Sequence, residues 1–160
     1  MPETIISDTS CLIILNNIGE LELLPKIYGR IITTSEVANE YGELLPEWIE
    51  IKSVKDKNKQ KIFENEVDKG EASAIALAIE TPQSTIILDD YKARRLAKEL
   101  GLTITGTIWI IVRAKVLGFI PSVKNVFEKM RQTNFRFSEE IERQALRDAG
   151  EYFWNKKYSF

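Results

Sequence analysis

Four short apolar runs, each followed at once by a helix-forming stretch, constrain the fold of this chain more than any other feature. They are Thr4-Ile5-Ile6-Ser7, Gly29-Arg30-Ile31-Ile32-Thr33, Thr85-Ile86-Ile87-Leu88 and Leu102-Thr103-Ile104-Thr105. Strands this short, apolar on successive residues and separated by helices, belong in a parallel sheet covered on both faces. The predicted fold is therefore an α/β protein, a three-layer α/β/α sandwich with a mainly parallel sheet. A fifth strand, residues 48–54, alternates Ile49 and Ile51 with Glu50 and Lys52 and reads as an edge strand.

Helices are expected between the strands. Leu12, Leu15, Ile18 and Leu21 stand near helical spacing, Gly42 closes a helix over residues 35–41, and the alanine-rich residues 70–79 stop before Pro82. Gly101 closes residues 91–100 and Gly118 closes residues 107–117. Residues 55–61 read as a polar loop or exposed helix start. A C-terminal helical hairpin follows, over residues 122–131 and 138 to about 154, the second arm capped by Ser138. A chain of 160 residues fits one domain. Within it the expected division is a core over residues 1–131 and a helical extension over residues 132–160 packed on that core.

Residue content then restricts the chemistry. The chain has no histidine, which removes Ser-His-Asp and Cys-His catalysis and metal sites built on imidazole. Its one cysteine, Cys11, lies in an apolar run and reads as a core residue. No basic segment precedes an apolar one near Met1 and no apolar run approaches a membrane span, so a cytoplasmic location without membrane contact is expected. Carboxylates must carry most of any reaction.

In a doubly wound sheet, ligands sit beyond the carboxyl ends of the strands. Asp8 follows the first strand and Asp89-Asp90 follow the third apolar run. Glu71 begins a helix, and Glu36 and Glu40 stand at i and i+4 on a helix that also follows a strand. Each acid taken singly could be a helix cap or a solvated charge. Together they are expected to converge in one small pocket on that edge, where their repulsion calls for a cation. Mg²⁺, with oxygen ligands and retained waters, suits such a set.

Other motifs fail. The segment Gly101 to Thr107 has the glycine spacing of a phosphate loop, but Thr107 stands where the lysine belongs. A receiver-type phosphoacceptor is disfavoured because no lysine follows the strand at residues 102–105.

The ordered set of motifs resembles PIN-domain nucleases over nearly the whole chain. It comprises Ile5-Ile6-Ser7-Asp8-Thr9-Ser10, the segment Ile32 to Glu40, the segment Gly70 to Ala78, Leu88-Asp89-Asp90 through Ala97, and Gly101 to Thr107. Arg113-Ala114-Lys115 and Gly118-Phe119-Ile120-Pro121 are similar to a prokaryotic subgroup close to VapC-type toxins. The resemblance implies a PIN-like sandwich that hydrolyses RNA with Mg²⁺ or Mn²⁺. It puts catalytic acids at Asp8, Glu40 and Glu71, with the fourth at Asp90 or its neighbour Asp89, and metal contacts at Asp8, Asp89, Asp90 and Glu71. Thr9, Ser10, Glu36 and Thr107 fall in supporting positions. PIN nucleases more often carry Asp at the third acid, and Glu71 adds a methylene of reach. Arg94, Arg95 and Lys98, within two turns of Asp90, are candidate nucleic-acid contacts.

The partners implied are an RNA substrate, a small cognate antitoxin and a second copy of the chain. The last is expected from the aromatics gathered late in the sequence, namely Phe127, Phe135, Phe137, Tyr152, Phe153, Trp154, Tyr158 and Phe160. The leading reading is the toxin-type endoribonuclease. The alternative is a nucleic-acid-binding module with the same fold and weak turnover, and an acid-cluster phosphatase stands third.

Overall fold

The computed structural model describes residues 3–151. Five parallel strands form one sheet in the order β3-β2-β1-β4-β5: β1 (Thr4–Ile6), β2 (Arg30–Thr34), β3 (Ile49–Lys52), β4 (Ser84–Ile87) and β5 (Thr103–Thr105). All four pairings are parallel, with Ile5 opposite Ile31 and Thr85. The strand read from alternation, β3, lies at an edge and exposes Ile51.

The helices are α1 (Thr9–Asn17), α2 (Leu23–Ile27), α3 (Ser35–Tyr41), α4 (Lys57–Phe63), α5 (Lys69–Ile79), α6 (Tyr91–Glu99), α7 (Thr107–Val116), α8 (Val123–Arg131) and α9 (Glu139–Asp148). The expected final helix is shorter than its sequence pattern. It stops at Asp148, where Gly150 turns into the left-handed region at φ 76°, a conformation glycine adopts without strain. The chain divides between Thr107 and Ile108 into two compact units.

In the first unit, successive residues of the central strand point to opposite faces, and both Ile5 and Ile6 are fully buried. Ile6, Ile32, Ile86 and Leu88 share one face and pack with Val54, Phe63, the small residues of α5, and Ala93, Leu96 and Ala97 of α6. The step from β1 to β2 runs one way along the sheet and the step from β4 to β5 the other. Right-handed crossovers therefore put α1 and α2 on the face opposite α4–α6. Helix α3 lies at the carboxyl edge and touches both α1 and α5.

That reversal of direction falls between β1 and β4. It opens a crevice at their carboxyl ends, where Asp8 and Asp89-Asp90 leave the sheet.

In the second unit, the buried Glu151 carboxylate closes the start of α8. It accepts from the backbone N–H of Val123 and Lys124, from Ser122 Oγ at 3.0 Å and from Lys115 Nζ at 3.1 Å. Burial alone would push this carboxyl up, but these donors hold it below the usual range. Phe127, Phe135 and Phe137 pack on one another, with ring centroids 5.1 and 6.2 Å apart. Tyr152, Phe153, Trp154, Tyr158 and Phe160 lie outside the described residues.

Candidate active site

The acids at the crevice are first of all helix caps. Asp8 Oδ1 accepts from Cys11 N at 3.0 Å to start α1, and Asp90 Oδ2 accepts from Ala93 N at 3.0 Å to start α6. Asp68 Oδ1 accepts from Glu71 N at 2.8 Å, and Glu71 Oε1 accepts from Asp68 N at 3.3 Å, a reciprocal capping box at the start of α5. Asp89 holds the start of α7 with both oxygens, accepting from Thr107 N at 2.8 Å and Thr107 Oγ1 at 2.6 Å. Glycine at position 106 permits this closure, since a Cβ there would lie 3.1 Å from Asp89 Oδ1 and from Arg94 Nη1.

The carboxylates also act on one another. Asp8 is 2% exposed, and burial, then the charges of Asp89 and Glu71, push its carboxyl well above the usual range. Burial also raises Asp89, against the Thr107 hydrogen bonds and the Arg94 charge. Half-buried Glu71 is pushed up to about 7 by desolvation and by Asp68 and Asp90. Glu40 is raised by partial burial and by Asp68. Asp8, Asp89, Glu71, Asp90, Asp68 and Glu40 thus form a continuous series of repelling neighbours along the carboxyl edge. An N-cap in isolation would lower a carboxyl. Here burial and like charge outweigh it at Asp8.

Among the described residues, no three Asp, Glu or Cys side chains are already drawn together into a metal-binding group; Asp8, Asp68, Asp89 and Asp90 are each tied to a helix start.

Asp68 joins the edge acids in the structure, and its sequence signal is the capping-box spacing Asp68-x-x-Glu71 that marks a helix start. Thr9 is buried, with a hydroxyl that holds the Glu40 carboxyl down against burial and Asp68, whereas Ser10 is exposed on α1. Glu36 turns to α4 instead. Its carboxylate accepts from Ser35 Oγ at 2.7 Å and from Gln60 Nε2, with Lys57 Nζ at 3.8 Å. Burial raises this carboxyl, but those hydrogen bonds and the Lys57 charge leave it lowered.

The three basic candidates separate as well. Arg94 Nη1 points inward, donating to Leu88 O at 2.7 Å and Thr105 O at 3.1 Å. Arg95 is exposed and pairs with Glu99 at 3.3 Å, and Lys98 is exposed in the last turn of α6. Arg95 and Lys92 line an open cavity of about 420 Å³ between α6 and Asn65-Glu66. Cys11 is buried beside Asp8, and desolvation, then Asp8 and Asp89, push its thiol well up. It is an inert core residue rather than a nucleophile.

The donor set is all oxygen and rich in carboxylate, so its chemistry fits a hard divalent cation. Among the described residues, no helix is long and apolar enough to cross a membrane. A family model described as a PIN domain matches residues 4–151. No curated protein matches the chain.

Proposed function

The chain belongs to the PIN-domain family, and from that premise we propose that it is a Mg²⁺- or Mn²⁺-dependent endoribonuclease, the toxin of a toxin–antitoxin pair. The observation that carries this reading is Asp8. It is a carboxylate 2% exposed at the sheet's switch point, and the charges of the acids Asp89 and Glu71 add to burial in pushing it up. A buried acid set against other acids is costly to keep ionised without a cation.

Asp8, Asp89, Asp90 and Glu71 are the residues that would hold the ion. A bound divalent ion supplies activation of water and stabilisation of the phosphodiester's attacking and leaving oxygens, with no histidine needed. The chain's own residues do the rest. Thr107, through its N–H and hydroxyl, fixes the orientation of the Asp89 carboxylate. Glu40, at the exposed end of α3, turns its carboxylate over Gly70 at the start of α5. Without the ion the Glu71 carboxyl stands at about 7, and a bound cation would hold it ionised. Exposed Arg95 and Lys98, further along α6, suit phosphate contacts. The partners in this reading are RNA, a small antitoxin and a second copy of the chain, acting in the cytoplasm.

The test is cleavage of a panel of structured RNAs with Mg²⁺ or Mn²⁺, comparing the wild type with Asp8→Asn. Asparagine still caps α1 but removes the charge, so cleavage should fall by at least ~100-fold, the scale of losing a charge-stabilising group. Equal cleavage by both proteins refutes the reading. RNA binding without cleavage by either would favour the binding module.

A further inference from the structure

The lysine-rich segment 55–61 takes no part in the row of carboxylates. Most of it forms α4, where Lys57, Gln60 and Lys61, at i, i+3 and i+4, share a face and line a cavity of about 560 Å³. Ser35 and Glu36 at the start of α3 line it from the other side, with Lys69 at the start of α5. We propose that this cavity is a nucleotide subsite for the RNA, in which Lys57, Lys61 and Lys69 hold a phosphate while Glu36 and Gln60 read a guanine.

Three observations carry the assignment. First, the cavity is positive. Its three lysines are exposed, and the carboxylates set against them are two, Glu36 and Glu64. A local positive charge in a chain of net charge −2 is what a phosphate needs.

Second, the inner wall offers acceptors. Gln60 is 4% exposed, its Nε2 donates to Glu36, and its Oε1 has no hydrogen-bond partner. A buried carbonyl oxygen without a donor costs free energy unless a ligand supplies one. Beside it, and against the pull of burial, Ser35, Gln60 and Lys57 keep the Glu36 carboxyl below its usual range, so it stays ionised and only accepts. Its two oxygens take hydrogen bonds from Ser35 Oγ and Gln60 Nε2, and each keeps a further lone pair.

Cations with acceptors behind them suit a ligand that is negative at one end and carries N–H donors at the other. Of the four ribonucleotides, the guanine one matches. Its ring N–H and amino group stand side by side on the Watson–Crick edge and can meet a carboxylate with parallel hydrogen bonds. Adenine and cytosine set one amino group beside an acceptor nitrogen, and uracil sets one N–H between two carbonyls. Those acceptors would face a carboxylate unfavourably.

Third, the cavity is anchored and adjoins the acids. The Glu80 carboxylate, just past α5, accepts from Lys55 N at 2.8 Å and Asp56 N at 2.9 Å, and Asp56 Oδ1 caps α4 through Lys59 N at 3.0 Å. Helix α4 is thereby fixed to α5, whose first residue is Lys69 and whose third is Glu71. Lys69 joins the cavity to the carboxyl edge, so a nucleotide held there belongs to the same strand as one lying at the acids. The subsite rests on the nuclease reading for its RNA, but its residues are not those assigned to the ion.

The test is an amide NMR titration of the full chain in EDTA with guanosine monophosphate and, in parallel, the adenosine, cytidine and uridine monophosphates. No ion and no cleavage enter it. Guanosine monophosphate should shift the amides of α3 and α4 and bind at least ~10-fold more tightly than the other three, the scale of one bidentate base contact. Lys61→Ala and Lys69→Ala, at exposed positions, should weaken all four nucleotides alike and keep the preference. Glu36→Gln should bring the four affinities close together, with melting temperatures reporting that each variant is folded.

Equal affinities in the wild type, shifts confined to α6, or no shift at about 10 mM nucleotide overturn the subsite. A guanine preference unchanged in Glu36→Gln, or affinities unchanged in both lysine variants, overturns it as well. RNA cleavage by a chain that fails these titrations leaves the nuclease reading standing. The expected titrations from a chain that cuts no RNA leave the subsite standing and count against the nuclease.

Discussion

Replacing Glu71 by Gln should stabilise the metal-free protein at pH 8 and leave it nearly unchanged at pH 5. Glutamine keeps the reciprocal cap, since its amide oxygen can accept from Asp68 N as the carboxylate does. The substitution therefore isolates the charge. Desolvation, then Asp68 and Asp90, raise the Glu71 carboxyl from 4.5 to about 7. A carboxyl raised in the folded state contributes stability below its unfolded value, and that contribution is lost as pH rises through the folded value. The loss therefore runs between pH 4.5 and about 7 and is complete at pH 8. A rise of that size corresponds to roughly 3 kcal/mol at full effect. Glu71 is half exposed, and solvent screening reduces this to about 1–2 kcal/mol. In a chain of this length that is a melting shift of about 3–6 °C. The assay is thermal unfolding by circular dichroism in EDTA at pH 5 and pH 8. Equal shifts at the two pH values, or a lower melting temperature at pH 8, would refute the claim that like charge dominates at this site.

Glu151 should behave with the opposite sign, because its carboxyl is lowered: its contribution is present above the usual carboxylate range and lost as pH falls through the lowered value. Glu151→Gln should cost about 2–3 kcal/mol at pH 7, read as faster hydrogen exchange at the Val123 and Lys124 amides. Arg94→Ala should lower stability by about 1–2 kcal/mol, because its guanidinium holds the carbonyls of Leu88 and Thr105. Arg95→Ala and Lys98→Ala should instead weaken RNA binding and reduce its salt dependence by about one ion each, measured by fluorescence anisotropy in an Asp8→Asn background.

The architecture was largely legible because two periodicities alternate along the chain. Ile5-Ile6 and Ile86-Ile87-Leu88 are apolar on successive residues, as strands buried on both faces must be, and each is followed by a capping aspartate. Strand order was not legible, since nothing local distinguishes a step to the left of β1 from a step to the right. The end of α9 was misjudged for a related reason. Ala149 and the aromatic residues 152–154 extend the apolar sequence pattern, while Glu151, just past the turn at Gly150, accepts from Val123 N at the start of α8. A long-range hydrogen bond leaves no trace in a local window.

The acids were legible by position but not by partner. Asp8, Asp89 and Asp90 announce themselves by following strands. Asp68 follows a loop, and the pattern that identifies it, an aspartate three residues before Glu71, has a complete explanation as a cap. Glu36 and Glu40 share spacing on α3, yet Glu36 is taken up by Ser35, Gln60 and Lys57 while Glu40 turns over Gly70. Capping explains each aspartate singly, and it is the set that capping fails to explain. Asparagine and serine cap helices as well as aspartate does, and either would have relieved the repulsion that helps to raise Asp8 and Glu71. Several negative charges kept at one sheet edge, at a cost to the metal-free fold, are intelligible when a cation is the intended neighbour.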